Sequence, residues 1–173
     1  MRAEPSRRPV SILVADDDAD DRLLMRDALQ ESRLANPVYF VEDGQQLIDF
    51  LKRQGPYADP QDSPRPGLIL LDLNMPRKDG REALEEIKAD PRLRTIPIVV
   101  LTTSRADEDI LRSYELGVSG FVTKPVTFSS LVETTAALGR YWFEIAELPS
   151  GADQEPQGPD PARQTSPASD GSP

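Results

Sequence analysis

The chain has 173 residues, enough for one domain with a single sizeable hydrophobic core. Its formal net charge of −10 argues against binding to nucleic acid, which usually requires a basic surface. The sequence contains neither cysteine nor histidine, which excludes disulfides, thiolate or imidazole metal ligands, and Ser-His or Cys-His nucleophile pairs. The apolar runs are too short to span a membrane and no signal peptide is evident, so we expect a cytoplasmic protein without membrane contacts.

Short apolar runs alternate along the chain with amphipathic segments that have helical spacing. Strands are predicted over 10–15, 38–41, 68–71, 98–101 and 120–123. Helices are predicted over 22–29, 45–53, 79–89, 106–116, and from 127 through Trp142 and Phe143 to Glu147. Asp18 or Asp20 is the expected N-cap of the first helix, and Asp79 is the expected N-cap of the third. This alternation predicts an α/β fold, in which a parallel sheet is covered by helices on both faces.

The two ends of the chain differ in composition from the predicted domain. Residues 1–9 form a short lead that contains proline and arginine, and residues 149–173 are rich in proline, glycine and serine. Because this last segment has no aliphatic side chain larger than alanine, it cannot bury a core and is predicted to be disordered. We therefore expect one domain over residues 10–148, with an extended last helix.

Polar and charged residues stand at the carboxyl ends of four predicted strands. Asp16 and Asp17 follow the first strand, Asp72 the third, Thr102 the fourth and Lys124 the fifth. In a doubly wound sheet these positions converge on one crevice. Clustered carboxylates repel one another unless a cation binds them, and ligands that are all oxygen favour Mg²⁺. A lysine and a threonine hydroxyl suit a phosphoryl group, which aspartate can accept covalently.

These residues also resemble a known family. Their order, with Asp72 inside Leu-Asp-Leu-Asn-Met-Pro and Lys124 followed by Pro125, resembles the receiver domain of two-component response regulators over roughly residues 10–140. The resemblance implies a flavodoxin-like (βα)5 fold with strand order 2-1-3-4-5. It also implies a switch that takes its phosphoryl group from a phosphohistidine on a separate sensor histidine kinase.

The resemblance assigns a role to each acidic residue of the predicted site. Asp72 is expected to be the phosphoacceptor. Asp17 is expected to bind Mg²⁺ directly, together with Asp72 and the backbone carbonyl of Asn74. Asp16 is expected to orient a metal-bound water.

The remaining roles concern the phosphoryl group and the response to it. Thr102 and Lys124 are expected to bind the phosphoryl oxygens. Thr102 and Phe121 are the expected switch residues, since Phe121 stands at the aromatic switch position of the family. The peptide bond between Lys124 and Pro125 is expected to be cis, which proline tolerates.

Three further segments resemble one subgroup of the family. The proline-rich loop 55–67, the segment 101–104 and the ending 141–149 are similar to single-domain regulators that are paired with bacterial phytochrome kinases.

The last predicted helix suggests a contact between two copies of the chain. Its apolar positions continue past Gly139, where the helix is expected to extend beyond the domain. Trp142, Phe143 and Ile145 would then be exposed in a monomer, and we expect them to form a homodimer contact.

Two other functions use similar residues. A phosphohydrolase of the haloacid dehalogenase type would use Asp16 as nucleophile and Asp18 as acid/base. Asp20, however, stands where that family has a hydrophobic residue or threonine, and its later acidic pair is missing. A receiver-like scaffold that is never phosphorylated is the second alternative, against which the full set of site residues argues.

Overall fold

The computed structural model describes residues 10–145, without the side chain of Ile145. Its strands are β1 (Ile12–Ala15), β2 (Val38–Val41), β3 (Leu68–Leu71), β4 (Ile98–Thr102) and β5 (Gly120–Thr123). Its α-helices are α1 (Ala19–Glu31), α2 (Gly44–Lys52), α3 (Gly80–Ala89), α4 (Asp107–Glu115) and α5 (Phe128–Gly139). A 3₁₀ turn covers Gly55–Tyr57, and a π-helical segment covers Arg140–Ile145. The predicted lead 1–9, the predicted tail 149–173 and the predicted helix end at Glu147 lie outside the described residues.

The five strands form one parallel sheet in the order β2-β1-β3-β4-β5, which confirms the predicted fold and strand order. Each strand is followed by a helix that returns the chain to the starting edge of the sheet, as parallel pairing requires. Within residues 10–145, no helix has the length and apolar character needed to cross a membrane.

Burial explains why the strands are short apolar runs. β1, β3 and β4 lie in the middle of the sheet, and every residue in them is buried. The side chains that point to the two faces belong to two separate hydrophobic clusters, one beneath α2 and α3 and one beneath α1 and α5. A central strand of a parallel sheet is covered on both faces, so its side chains do not alternate between apolar and polar. The first polar side chains come where the strand ends.

Side-chain caps fix where four of the helices begin. Asp18, Asp43, Asp79 and Thr127 each accept a hydrogen bond from a backbone amide in the first turn of the helix that follows. Two of these caps were predicted: Asp79, and Asp18 as one of two candidates. Because Asp18 is the cap, α1 begins at Ala19, three residues before the predicted start, and its first turn includes acidic side chains that suit a helix amino terminus.

The prediction that Trp142 and Phe143 would be exposed in a monomer is wrong. Trp142 and Phe143 are half-buried and pack against the cluster beneath α1 and α5. Gly139, at the end of α5, lies against Leu34: a Cβ atom there would lie 2.3 Å from a side-chain carbon of Leu34. The loop after α1 therefore reaches the end of α5, and the π-helical segment continues along the core. The side chain of Ile145 is not among those described.

Gly80, the first residue of α3, brings that helix against the strand-end segment after β3. Its amide donates to the carbonyl of Leu73 over 2.9 Å. A Cβ atom at this position would lie 2.2 Å from the backbone carbonyl oxygen of Asp72, so a side chain cannot be accommodated without a shift of the backbone.

We expect Gly80→Ala to lower the free energy of unfolding by about 1–3 kcal/mol, the usual cost of forcing extra atoms into a packed site. Urea denaturation measures the change. Gly120→Ala is the matched control, because the nearest atoms to a Cβ there are methyl carbons of Val99 at 3.9 Å. Equal stability of the two variants would contradict the steric argument.

Candidate functional site

The predicted site residues lie together at one edge of the sheet because the strands are parallel. Hydrogen bonding between strands continues one residue past their ends: the amide of Asp72 donates to the carbonyl of Ala15, and the amide of Lys124 donates to the carbonyl of Thr102. The chain therefore leaves β1, β3, β4 and β5 at the same level, and the first polar side chains face one crevice.

The ammonium group of Lys124 lies at the centre of this crevice. Its Nζ donates to Asp16 Oδ2 over 2.6 Å, to Asp21 Oδ2 over 2.8 Å and to Asp72 Oδ2 over 3.0 Å. Burial disfavours the charged form of the lysine, but these three hydrogen bonds outweigh burial and raise its pKa. Lys124 is therefore a fixed positive charge in a predominantly acidic site.

Each carboxylate oxygen of Asp72 has a donor. Oδ1 accepts from the Thr102 hydroxyl over 2.9 Å and from the Asn74 amide over 3.0 Å, while Oδ2 accepts from Lys124. Asp72 is only 7% exposed, and Thr102 is fully buried. The carboxylate is thus held in one orientation by a hydroxyl, an amide and an ammonium group.

Three carboxylates are close enough to share a metal ion. One oxygen from each of Asp16, Asp17 and Asp72 lies within 4.8 Å of the others. Asp17 is exposed, whereas Asp16 is buried, and burial raises the pKa of Asp16 against the opposing effects of Lys124 and the Asp18 amide. An all-oxygen donor set of this kind fits a hard divalent cation, whose charge would offset the repulsion between the carboxylates. Asn74 lies beside the cluster, and the role of its carbonyl as a ligand stays a prediction.

Asp21 is a site residue that the sequence reasoning did not assign. It lies in the first turn of α1, and the sequence signal that could have found it is its place in the acidic run that directly follows β1. Asp18, in contrast, does not face Lys124, because its side chain caps α1 by accepting from the amides of Asp20 and Asp21.

The structure also describes two other predicted features, the position of Phe121 and the peptide bond between Lys124 and Pro125. Phe121 is half-buried in β5 and packs against the cluster beneath α2 and α3, away from the carboxylates. The prediction of a cis peptide between Lys124 and Pro125 is wrong in this structure, since the described residues contain no cis bond. The trans form of an X–Pro bond is favoured by about 0.5–1 kcal/mol, and Lys124 reaches all three of its partners from it.

A second polar network connects the site to α4. Asp109 accepts from Arg81 on α3 at 2.7 and 2.6 Å, and from the Ser104 hydroxyl at 2.7 Å. Arg81 also donates to the carbonyl of Leu73 over 3.5 Å. Ser104 follows Thr102 by two residues and Leu73 follows Asp72 directly. Both ends of the network therefore join segments that carry site residues.

The mouth of the crevice is partly apolar. A small cavity there is lined by the charged side chains of Asp16, Asp21 and Lys124 and by Leu24, Met25, Pro125, Val126, Thr127, Phe128 and Leu131. Val126 is 93% exposed and Phe128 is 43% exposed, so apolar surface adjoins the charged residues.

The response regulator receiver domain model matches residues 12–136, which is most of the chain. The chain belongs to this family. Response regulator Rcp1 of Synechocystis sp. is 40% identical over 148 residues, covering 86% of this chain and 99% of Rcp1.

Solved structures of phytochrome response regulators are similar to this chain as well. Phosphorylated cyanobacterial phytochrome response regulator RcpA superposes with a TM-score of 0.77 at 41% identity, covering 83% of this chain and all of RcpA. The Mn²⁺-bound form of Rcp1 superposes with a TM-score of 0.74 at 42% identity, covering 82% of this chain and all of that structure. Receiver domains bind a divalent metal and accept phosphoryl groups, and the chain is therefore a receiver of two-component signalling with an acidic metal site.

The network around Asp109 makes stability depend on pH. Hydrogen bonds from Arg81 and Ser104 lower the pKa of Asp109 from 3.8 to about 2. The folded state therefore binds this proton less readily than the unfolded state. The stabilisation is complete above a pH of about 4 and is lost as the pH falls through about 2.

We expect Asp109→Asn to be less stable than the native chain at pH 7, with the difference shrinking as the pH falls from about 4 towards 2. Urea denaturation across this range measures it. Asp107→Asn, an exposed acid in the same helical turn, serves as the control for loss of one charge. A difference that stays constant with pH would contradict the assignment.

Proposed function

We propose that the protein accepts a phosphoryl group on Asp72 from a sensor histidine kinase, in a reaction that depends on Mg²⁺. The observation that carries this proposal is the geometry of Asp72, a buried carboxylate with Thr102 on one oxygen and Lys124 on the other. In the transfer, a carboxylate oxygen of Asp72 forms the new bond to phosphorus while the phosphorus–nitrogen bond of the kinase phosphohistidine breaks. The histidine leaves with the electron pair of that bond.

The side chains around Asp72 have separate tasks in this reaction. The Lys124 ammonium lies where the negative charge of the phosphoryl oxygens builds up, and the Thr102 hydroxyl supplies a second donor. Bound Mg²⁺, held directly by Asp17, Asp72 and the Asn74 carbonyl and indirectly by Asp16, would supply further positive charge for the same oxygens. Asp17, the exposed member of the cluster, is accessible from solvent.

The switch follows from the hydrogen bond that Thr102 gives to Asp72. A phosphoryl group on Asp72 adds a charge of about −1.5 to −2 with new acceptor oxygens, which draw the Thr102 hydroxyl towards them. Thr102 is joined through two residues of backbone to Ser104, and Ser104 donates to Asp109 on α4. Movement of Thr102 therefore shifts the population of α4 positions, with repacking of Phe121.

A phytochrome-type kinase is the proposed donor. Support comes from the relatives, among them a cyanobacterial phytochrome response regulator at 41% identity, and from the segments that resemble the same subgroup. The apolar rim beside Lys124, with Val126 and Phe128, suits contact with a protein donor.

The chain acts in this proposal as a switch and not as an enzyme with turnover. A hydrolase that used Asp16 as nucleophile and Asp18 as acid/base is disfavoured, because the Asp18 carboxylate caps α1 by accepting from the amides of Asp20 and Asp21. A scaffold without phosphorylation is disfavoured because every side chain needed for transfer faces the crevice.

The remaining parts of the proposal concern the setting of the receiver. We propose that the receiver domain spans residues 10–148 and acts in the cytoplasm. The net charge of −10 supports output through a protein partner and not through nucleic acid.

Incubation with Mg²⁺ and a small acyl-phosphate donor should add one phosphoryl group, which intact mass and peptide mapping would place on Asp72. Asp72→Asn and EDTA should each abolish the addition, because the first removes the nucleophile and the second removes the metal. Circular dichroism of Asp72→Asn should show an intact fold.

The site of labelling separates the candidate functions. Labelling of Asp16 with continuous turnover of the donor would support the hydrolase. Labelling that persists in Asp72→Asn would refute the assignment of the phosphoacceptor. Asp20→Asn, which removes a carboxylate from the same acidic run, should be labelled as the native chain is.

The homodimer is proposed through Trp142, Phe143 and Ile145. Trp142 and Phe143 are only half-buried, and the neighbouring Tyr141 is 52% exposed and packs edge-to-face on Trp142. We expect sedimentation equilibrium to give a dimer mass, and Trp142→Ala to weaken the association. A monomeric mass at high protein concentration would contradict the dimer.

A further inference from the structure

The third carboxylate on Lys124 comes from a helix and not from a strand end. Asp21 lies in the first turn of α1, and its Oδ2 accepts from Lys124 Nζ over 2.8 Å. An ammonium group has three donors, and here Asp16, Asp21 and Asp72 use all of them. We propose that Asp21 is a positioning residue that holds Lys124 for phosphoryl transfer to Asp72, an inference that rests on the proposed function.

Asp21 contacts the ammonium from the side nearest to solvent. The side chains of Asp16 and Asp72 are 5% and 9% exposed, whereas that of Asp21 is 38% exposed. Lysine has a long and flexible stem, and its strongly hydrated head moves readily into water. Asp21 therefore opposes the rotation of Lys124 out of the crevice, which neither of the inner carboxylates is placed to do.

Asp21 stands apart from the carboxylates that form the metal cluster. The described acidic residues with oxygens close enough to share an ion are Asp16, Asp17 and Asp72. In the proposed reaction Asp72 receives the phosphoryl group and Asp16 faces the metal position, so both inner carboxylates also serve other partners. Asp21 has no such second partner in the proposal, and its contact with Lys124 does not compete with the metal or the phosphoryl group.

The position of Asp21 is itself fixed by the cap of α1. Asp18 Oδ1 accepts from the Asp20 amide over 2.8 Å and from the Asp21 amide over 3.2 Å. Arg22, the next residue of α1, also holds the start of the helix, because its side chain donates to the carbonyl of Asp16 over 2.9 Å. The backbone of Asp21 is thus tied to the end of β1, so the carboxylate meets Lys124 at a set distance.

The chain offers a close control for the experiment. Asp20 and Asp21 are adjacent, share the first turn of α1 and contribute equally to its acidic amino terminus. Asp20 is exposed, and it is Asp21 that contacts Lys124. Asp20→Asn and Asp21→Asn therefore make the same change in charge and helix composition but differ in the contact with the lysine.

The first measurement is the rate of phosphorylation of the full chain by acetyl phosphate in Mg²⁺, followed by intact mass. We expect Asp21→Asn to react about 3- to 10-fold more slowly than Asp20→Asn, as loss of one charged hydrogen bond among three suggests. Asp21→Glu should recover part of the rate because it restores the charge. An equal rate in the two asparagine variants would overturn the proposal. So would a faster rate in Asp21→Asn, which would mean that Asp21 withholds the lysine from the phosphoryl group.

The second measurement needs neither metal nor phosphorylation. In EDTA, an amine-reactive reagent should modify Lys124 faster in Asp21→Asn than in Asp20→Asn, as peptide mapping by mass spectrometry would show. Equal modification in the two variants would overturn the positioning role. If instead the native chain is not labelled on Asp72 by acetyl phosphate, the proposed function fails, while this measurement still decides whether Asp21 holds Lys124.

Discussion

The contact between the Lys124 ammonium and three carboxylates is the interaction on which the site depends. Two unit charges of the same sign at 4 Å repel by roughly 1 kcal/mol in water and about 4 kcal/mol near a protein surface, and Asp16 and Asp72 are both buried. Lys124 offsets this repulsion and also joins β5 to β1, β3 and α1. The site residues remain together in the structure because the lysine lies among them.

The fold determines which side chains the lysine meets. Parallel strands end at one level of the sheet, so their first polar residues share a crevice without any special loop. The helices then add detail: Gly80 brings α3 against the backbone of Asp72, and the Asp18 cap places Asp21 beside Lys124. The chemistry of the crevice therefore depends on helix starts as well as on strand ends.

The same segments connect the crevice with α4. Thr102 donates to Asp72, Ser104 donates to Asp109, and Arg81 joins Asp109 to the carbonyl of Leu73. A change at Asp72 therefore acts on both ends of one polar network, through Thr102 and through Leu73. In the proposed switch, this arrangement would link the charge on Asp72 to α4 without a contact between the two.

The sequence by itself determined the five strands, the order of the residues at their ends and two of the helix caps, because these depend on local apolar runs and on spacing along the chain. It placed Asp16, Asp17, Asp72, Thr102 and Lys124 in one crevice through the rule that parallel strands end together. The contact of Asp21 with Lys124 joins residues 103 positions apart, and only the approach of α1 to β5 decides it. Tertiary packing likewise decided the half-burial of Trp142 and Phe143, since both side chains pack against a cluster built from several strands and helices, which the periodicity of the last helix does not reveal.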